Sequence, residues 1–268
     1  MVKVFTDHSD QRHKSWCYHC SRTLGSRETN REHIPTKNIL TKPYPENLPV
    51  AAVCAKCNES YSLDEQYFIA FLSAVLSGTT DPNLQVNNAG KSALKDPKLR
   101  GRIERSKREY VTIGGEKVTL FEPEADRINN VVIKNARGHV FFENGEPKFE
   151  EPLFCDVFPL QTASDEQLNA IFPLQHFDVW PEVGSRWMQR LVAESGFDDQ
   201  GFYVVQPEVY RFRLDFDHGV TIRSVIHEYL GRVDKRDSQA ELNVIQAGIC
   251  DGDQLGTRPY VGRRMGVL

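Results

Sequence analysis

Cys17-Tyr18-His19-Cys20, Arg31-Glu32-His33-Ile34-Pro35, Glu46-Asn47-Leu48 and Cys54-Ala55-Lys56-Cys57-Asn58 lie along one stretch, and the reading of this chain turns on it. Two C-x-x-C pairs flank an insert of 33 residues, 21–53. Pairs at this spacing suit a single tetrahedral zinc ion, each pair forming one knuckle. The insert is longer than that of an ordinary zinc finger, so further structure is built inside it. It contains Glu32, His33 and Asn47, and Asn58 follows the last cysteine directly.

This pattern resembles the HNH endonucleases, whose nuclease core is the ββα-metal (His-Me) finger. The resemblance covers roughly residues 15–70. It rests on the two knuckles, on Glu32-His33-Ile34-Pro35, on Asn47-Leu48 before the second knuckle, and on the polar residue after Cys57. Many members carry histidine at that last place; this chain has Asn58, giving a His-Asn-Asn set. The resemblance implies metal-dependent hydrolysis of DNA, leaving a 5′ phosphate and a 3′ hydroxyl. It also implies that Asn47 orients His33, and it associates such proteins with restriction, mobile elements or phage defence.

The chemistry asks for these residue types. A histidine near its ordinary pKa of about 6.5 can take a proton from water at neutral pH, which makes His33 the candidate general base. A hard divalent ion, Mg²⁺ or Mn²⁺, would stabilise the charge that develops on a phosphate, and Glu32 and Asn58 offer oxygen ligands for it. Two metals are thus expected: structural zinc on Cys17, Cys20, Cys54 and Cys57, and a catalytic ion at Glu32 and Asn58. One obstacle is physical. Glu32 and His33 are neighbours, and side chains of neighbours on a strand point to opposite faces. Both serve one site only if the strand ends or bulges there; otherwise Glu32 is a structural carboxylate, paired with Arg31 or Lys37. The plainer alternatives are a core or surface histidine at 33, a turn residue at Asn47 and a helix cap at Asn58. His19, inside the first knuckle, is an alternative zinc ligand, although four cysteines already satisfy the ion.

The chain has 268 residues and a formal net charge of −4. That figure hides an asymmetry: residues 1–110 carry 17 Lys+Arg against 12 Asp+Glu, and residues 111–268 carry 16 against 25. The N-terminal part has the sign expected of a polyanion's partner. Between Lys91 and Tyr110 lie eight basic residues, of which Lys98, Arg100, Arg102 and Arg105 are the candidate phosphate contacts; a solvated helix face is the alternative. No apolar run is long enough for a bilayer and no signal core opens the chain, so a cytoplasmic protein with reduced thiols and no membrane partner is expected. Cys155 and Cys250 then read as small buried hydrophobes.

The pattern along the chain predicts an α+β protein: a zinc-stabilised finger over 1–80, a basic linker over 81–110, and an α+β domain of unstated role over 111–268. Residues 1–16 read as a lead-in strand or arm, and Pro43–Pro49 as loop. Ser62-Leu63-Asp64-Glu65 reads as a capping box opening a helix that ends at Gly78, with Tyr67, Phe68, Phe71, Leu72, Val75 and Leu76 inward. A hairpin is predicted over 111–121 around Gly114-Gly115, and a helix over 124–138 closed by Gly138. Ser164–Gln167 forms a second capping box. A helix over 182–194 turns Trp187, Leu191 and Val192 inward. A hairpin joins Tyr210–Phe216 to Val220–Ile226, with His218 and His227 as structural histidines. The tail 256–268 reads as loosely held.

The sequence therefore points to an HNH-type endonuclease acting on DNA, with RNA left open and a homodimer as one route to cutting both strands. Its rival is a non-catalytic zinc module that binds nucleic acid or a protein partner.

Overall fold

A computed structural model describes residues 14–25, 27–111, 114–115, 117–173, 179–217, 219–236 and 260–261. The lead-in over 1–13, His218, Cys250 and most of the tail fall outside these residues.

The first strand, β1 (Thr29–His33), pairs antiparallel with β2 (Val50–Cys54), from Thr29 opposite Cys54 to His33 opposite Val50. The chain between them is loop apart from one short 3₁₀ turn, as its prolines require. β2 leads straight into α1 (Ala55–Ser60), and one residue, Tyr61, separates that helix from α2 (Ser62–Ser77). The expected capping box at Ser62 is not made. The Ser62 hydroxyl donates to the Glu59 carbonyl of α1, and Glu65 reaches across to Lys134. A cap is needed where a helix starts from extended chain, and α2 starts from another helix. Its other end is as expected: Gly78 takes the left-handed conformation (φ 69°) that stops a helix.

Two short helices follow, α3 (Asn88–Ala93) and α4 (Pro97–Arg105), each capped at its N-terminus by the residue before it, Asn87 and Asp96. β3 (Lys107–Val111) and β4 (Lys117–Phe121) form the hairpin expected around Gly114-Gly115, although β3 starts inside the basic stretch. β10 (Tyr260–Val261), from the tail, pairs with the other edge of β4. α5 (Ala125–Asn144) is longer than predicted and ends at Gly145 (φ 81°) rather than at Gly138. Gly138 sits in mid-helix, against Ile34 and Tyr18.

The C-terminal sheet contains β5 (Phe154–Pro159), β6 (Tyr203–Gln206), β7 (Tyr210–Asp215), β8 (Val220–Ile226) and β9 (Leu230–Arg236). They run in the order β5-β9-β8-β7-β6, every pair antiparallel. The β7–β8 hairpin is as predicted. Its alternation turns Tyr210, Phe212 and Leu214 towards α5 and the main core, where His139 stacks on Phe212. The opposite face carries Val225 and Val233, packed with Ile171 of α6 (Asp165–Ile171). α6 opens with the predicted capping box of Ser164 and Gln167. In α7 (Arg186–Ala193) Trp187 is buried and Leu191 packs on the core, but Val192 is 67% exposed and does not face inward. Position 192 follows Leu191 by about 100° on the helix, which carries it off the buried stripe.

The main core joins α2, α5 and the sheet, and includes Ile39 and Leu40 from the loop between β1 and β2. His227, in the β8–β9 turn, faces the Ile39 carbonyl at 2.9 Å. Cys155 packs partly buried against this core. No helix among the described residues is long and apolar enough to cross a membrane.

Candidate metal centre

The first knuckle is a tight turn. The Cys17 amide donates to the Arg22 carbonyl, the Ser21 amide donates to the Cys17 carbonyl, and Ser21 takes a positive φ of 57° to close it. The second knuckle forms where β2 becomes α1, so that Cys54 ends the strand and Cys57 lies in the first helical turn. Pairing of β1 with β2 brings the two together. The Cys54 amide points at Cys17 Sγ (3.5 Å), and the Ala55 amide donates to the carbonyl of Glu28, just before β1.

All four sulfurs lie within 4.8 Å of one another, and Cys20 Sγ stands 3.8 Å from Cys54 Sγ. A tetrahedral zinc with Zn–S bonds of about 2.3 Å requires sulfur–sulfur edges of about 3.8 Å. The chemistry of the donors agrees. Burial, together with hydrogen bonding to and repulsion from the neighbouring thiols, pushes Cys54 up to about 11 and Cys57 up as well. Burial also opposes ionisation of Cys20, but the Arg22 backbone and the surrounding thiols outweigh it and bring Cys20 down. Four thiolates this close coexist only around a cation, and binding one releases protons. The cluster could hold a metal ion such as zinc.

Of the two oxygen donors expected for a hard cation, Glu32 already has its carboxylate oxygens engaged by other side chains. β1 keeps regular alternation, so Glu32 and His33 leave it on opposite faces. Glu32 is 4% exposed and already surrounded. The Tyr18 hydroxyl donates to Oε1, His19 Nε2 lies 3.0 Å from Oε2, and Lys134 Nζ lies 3.5 Å from Oε1. Burial alone would raise the carboxyl's pKa; contacts with His19, Lys134 and Tyr18 overcome that and hold it below the ordinary range. The structural alternative for Glu32 is the one its surroundings favour, but with Lys134 as partner in place of Arg31 or Lys37. Among the described residues the four cysteines are the only group of three or more His, Cys, Asp or Glu side chains placed to share an ion.

His33 ends β1 half-buried, on the face away from Glu32. Burial, and then the charges of Lys37 and Arg31, hold its pKa below the usual histidine value. Asn58 is half-buried on α1, directly after Cys57, and its carbonyl accepts from the Tyr61 amide. Asn47 is exposed on the loop and forms no hydrogen bond to His33 among the described residues. Instead it lines a cleft of about 180 Å³ with Ile34, His139, Glu143, Arg190 and Tyr203. There Arg190 grips Glu143 through two hydrogen bonds (2.7 and 2.9 Å) and covers the Tyr203 ring at 3.9 Å.

The basic segment is partly neutralised. Arg102 pairs with Glu124, Lys107 with Glu104 and Glu109, and Arg108 with Glu122. Lys98, Arg100 and Arg105 form no ion pair among the described residues and are exposed or half-exposed on α4.

Lys134, which carries the positive charge of the Glu32 cluster, escaped the reading of the sequence. Its Nζ is 2.6 Å from Glu65 as well, so one lysine serves two carboxylates while only 2% exposed. The signal was present on the helical wheel. Lys134 and Gly138 lie within about 60° of Val131, on the side of α5 that the structure buries.

No protein-family model, no curated protein and no solved structure matches this chain.

Proposed function

We propose that this chain is an HNH-type endonuclease that hydrolyses DNA phosphodiester bonds with His33 as its general base. The observation that carries the reading is the order β1–loop–β2–α1. His33 is the last residue of the first strand, and Asn58 lies in the helix immediately after the metal-ligand candidate Cys57. In the reaction His33 removes a proton from water, the water oxygen bonds to phosphorus, and the bond to the 3′ oxygen breaks. The leaving oxygen takes a proton from solvent and His33 later gives its own back to solvent, leaving a 3′ hydroxyl and a 5′ phosphate. The donor set for Mg²⁺ is incomplete without Glu32, so no step here is routed through that ion. Lys98, Arg100 and Arg105 supply the phosphate contacts that carry no sequence information.

Plasmid nicking by the wild type beside His33→Ala, run with Mg²⁺, with Mn²⁺ and with EDTA, tests the reading. Loss of a general base costs roughly 10²- to 10⁴-fold in rate. His33 is half-buried at a strand end, so the variant keeps its fold. Undiminished cutting by His33→Ala would remove His33 from the mechanism.

A pH profile follows from the direction of the His33 shift. A depressed pKa keeps the imidazole neutral, and so able to accept a proton, to lower pH. The acid limb of kcat/KM is therefore expected below about 6.5, the ordinary histidine value. Lys37→Glu removes one of the charges that depress it and is expected to move the limb upward. A limb that stays in place would assign the titration to another group.

The turned-away Glu32 favours one second reading, a zinc module that binds nucleic acid without cutting it. Retained DNA binding with no nicking by either protein under any metal condition would select it.

A further inference from the structure

The segment that carries His33 is held from outside the finger, and one face of α5 does the holding. Lys134 reaches Glu32, the residue before His33 (Nζ–Oε1 3.5 Å). Gly138 meets Ile34, the residue after it. A methyl group added at Gly138 would lie 3.1 Å and 3.3 Å from Ile34 Cγ1 and Cγ2, and 3.4 Å from the Tyr18 hydroxyl. Asn135 Oδ1 accepts a hydrogen bond from the Thr36 amide at 2.9 Å, with both residues buried. One turn further on, Phe141 stacks on Tyr18 of the first knuckle, ring centroids 5.0 Å apart. Positions 134, 135, 138 and 141 share a single helical face. Residues 32, 34 and 36, on both sides of His33, are each fixed to that face.

We infer that α5 is the positioning element for His33, with Asn135 and Gly138 as its positioning residues. The inference rests on the nuclease reading for its catalytic consequence, and on contacts alone for its geometric one. Residues 34–36 are all buried, and Ile34 also packs with Tyr18, Ala51 and Val53. Inside this finger the Ile34 amide is tied to the Pro49 carbonyl across the end of the β1–β2 pair. A further restraint on the segment comes from residues about a hundred positions later in the chain. The part that follows the finger is thus a component of the site, and the finger residues 1–80 by themselves lack the face that holds His33.

Two substitutions separate positioning from folding. Asn135→Ala leaves the Thr36 amide without its acceptor, whereas Asn135→Asp keeps an oxygen in that place. Gly138→Ala puts a better helix former in mid-helix, so the helix itself does not suffer, but the new methyl displaces Ile34 by a few tenths of an ångström. Each full-length protein is read in two ways: by kcat and KM for plasmid nicking, and by the imidazole NMR signals of His33 in histidine-labelled protein, assigned by their loss in His33→Ala. A misplacement of about 1 Å costs on the order of 100-fold in rate. Asn135→Ala and Gly138→Ala are expected to lower kcat by roughly tenfold or more with KM little changed, to shift the His33 signals, and to melt near the wild type. Asn135→Asp is expected to recover most of the loss. If both variants retain wild-type kcat and unmoved His33 signals, α5 only packs against the finger and the inference fails. If His33→Ala nicks as well as the wild type, the nuclease reading fails, and the His33 signals in Asn135→Ala still decide the geometric claim. Should Asn135→Ala not fold, Gly138→Ala alone decides.

Discussion

Cys54→Ser is expected to abolish metal binding by the four-cysteine cluster and to unfold the segment around it, the largest effect predicted for any single substitution here. Cys54 is almost fully buried, so its replacement has no solvent in which to find another partner. A serine hydroxyl does not ionise near neutrality and is a poor ligand for zinc, which leaves three thiolates around the ion. Apparent binding energies for structural zinc run to about 10–16 kcal/mol, and losing even a fraction of that exceeds what the finger's small apolar cluster supplies. The site is built into that cluster, since Cys17 and Cys54 sit in it beside Tyr18, Ile34, Val53 and Phe141. Metal content measured by mass spectrometry is expected to fall from about one zinc per chain to well below it. Amide exchange should rise across β1, β2 and α1. The main core over α2, α5 and the C-terminal sheet should keep a separate, later transition. Because binding displaces thiol protons, the wild-type protein is also expected to lose zinc progressively as pH falls. Full zinc retention with an unchanged melting profile would sink the structural assignment of the cluster.

Local features were legible in the sequence. The cysteine spacing announces a site that the fold then closes to within 4.8 Å. Ser164 with Gln167, Gly78 and the β7–β8 alternation each produce what their chemistry dictates. What could not be read is contact between distant segments. Ser62–Glu65 has the letters of a capping box, but a preceding helix and a lysine 69 positions from Glu65 claim its side chains. Gly138 looks like a helix stop because glycine often is one. Here it is the one small residue that lets Ile34 approach α5. Strand alternation raised the obstacle that Glu32 and His33 serve one site only if β1 ends or bulges there, and the fold shows which partners Glu32 finds. The same applies to Arg102, whose letter suggests a phosphate and whose neighbour is Glu124.

Lys134→Ala is expected to destabilise the protein by about 3–5 kcal/mol, the usual cost of leaving a buried charge without its partner. The expectation follows from the uneven count in this cluster. Lys134 is 2% exposed and lies between Glu32 and Glu65, so its removal strands two carboxylates rather than one. Tyr18 and His19 still reach Glu32, and they soften the loss without supplying the missing lysine. For a chain of this size the melting temperature should fall by roughly 10 °C. The sign of the pH dependence is fixed by the depressed pKa of Glu32. A carboxyl held below its ordinary value stabilises the fold above the unfolded-state pKa, and that stability is lost as pH falls through the folded-state value. In Lys134→Ala the stranded Glu32 carboxylate protonates more readily, so the gap between variant and wild type should narrow in acid. A triple variant, Lys134→Met with Glu32→Gln and Glu65→Gln, removes every charge at once and is expected to regain most of the stability, because a well-packed neutral replacement of a buried ion cluster is often close to neutral. Equal destabilisation in the single and triple variants would mean that lost packing by the lysine stem, not the stranded charges, sets the cost. A recovered triple variant that binds zinc but has lost its grip on β1 would show that the cluster locks the finger onto α5, and that its net contribution to stability is small.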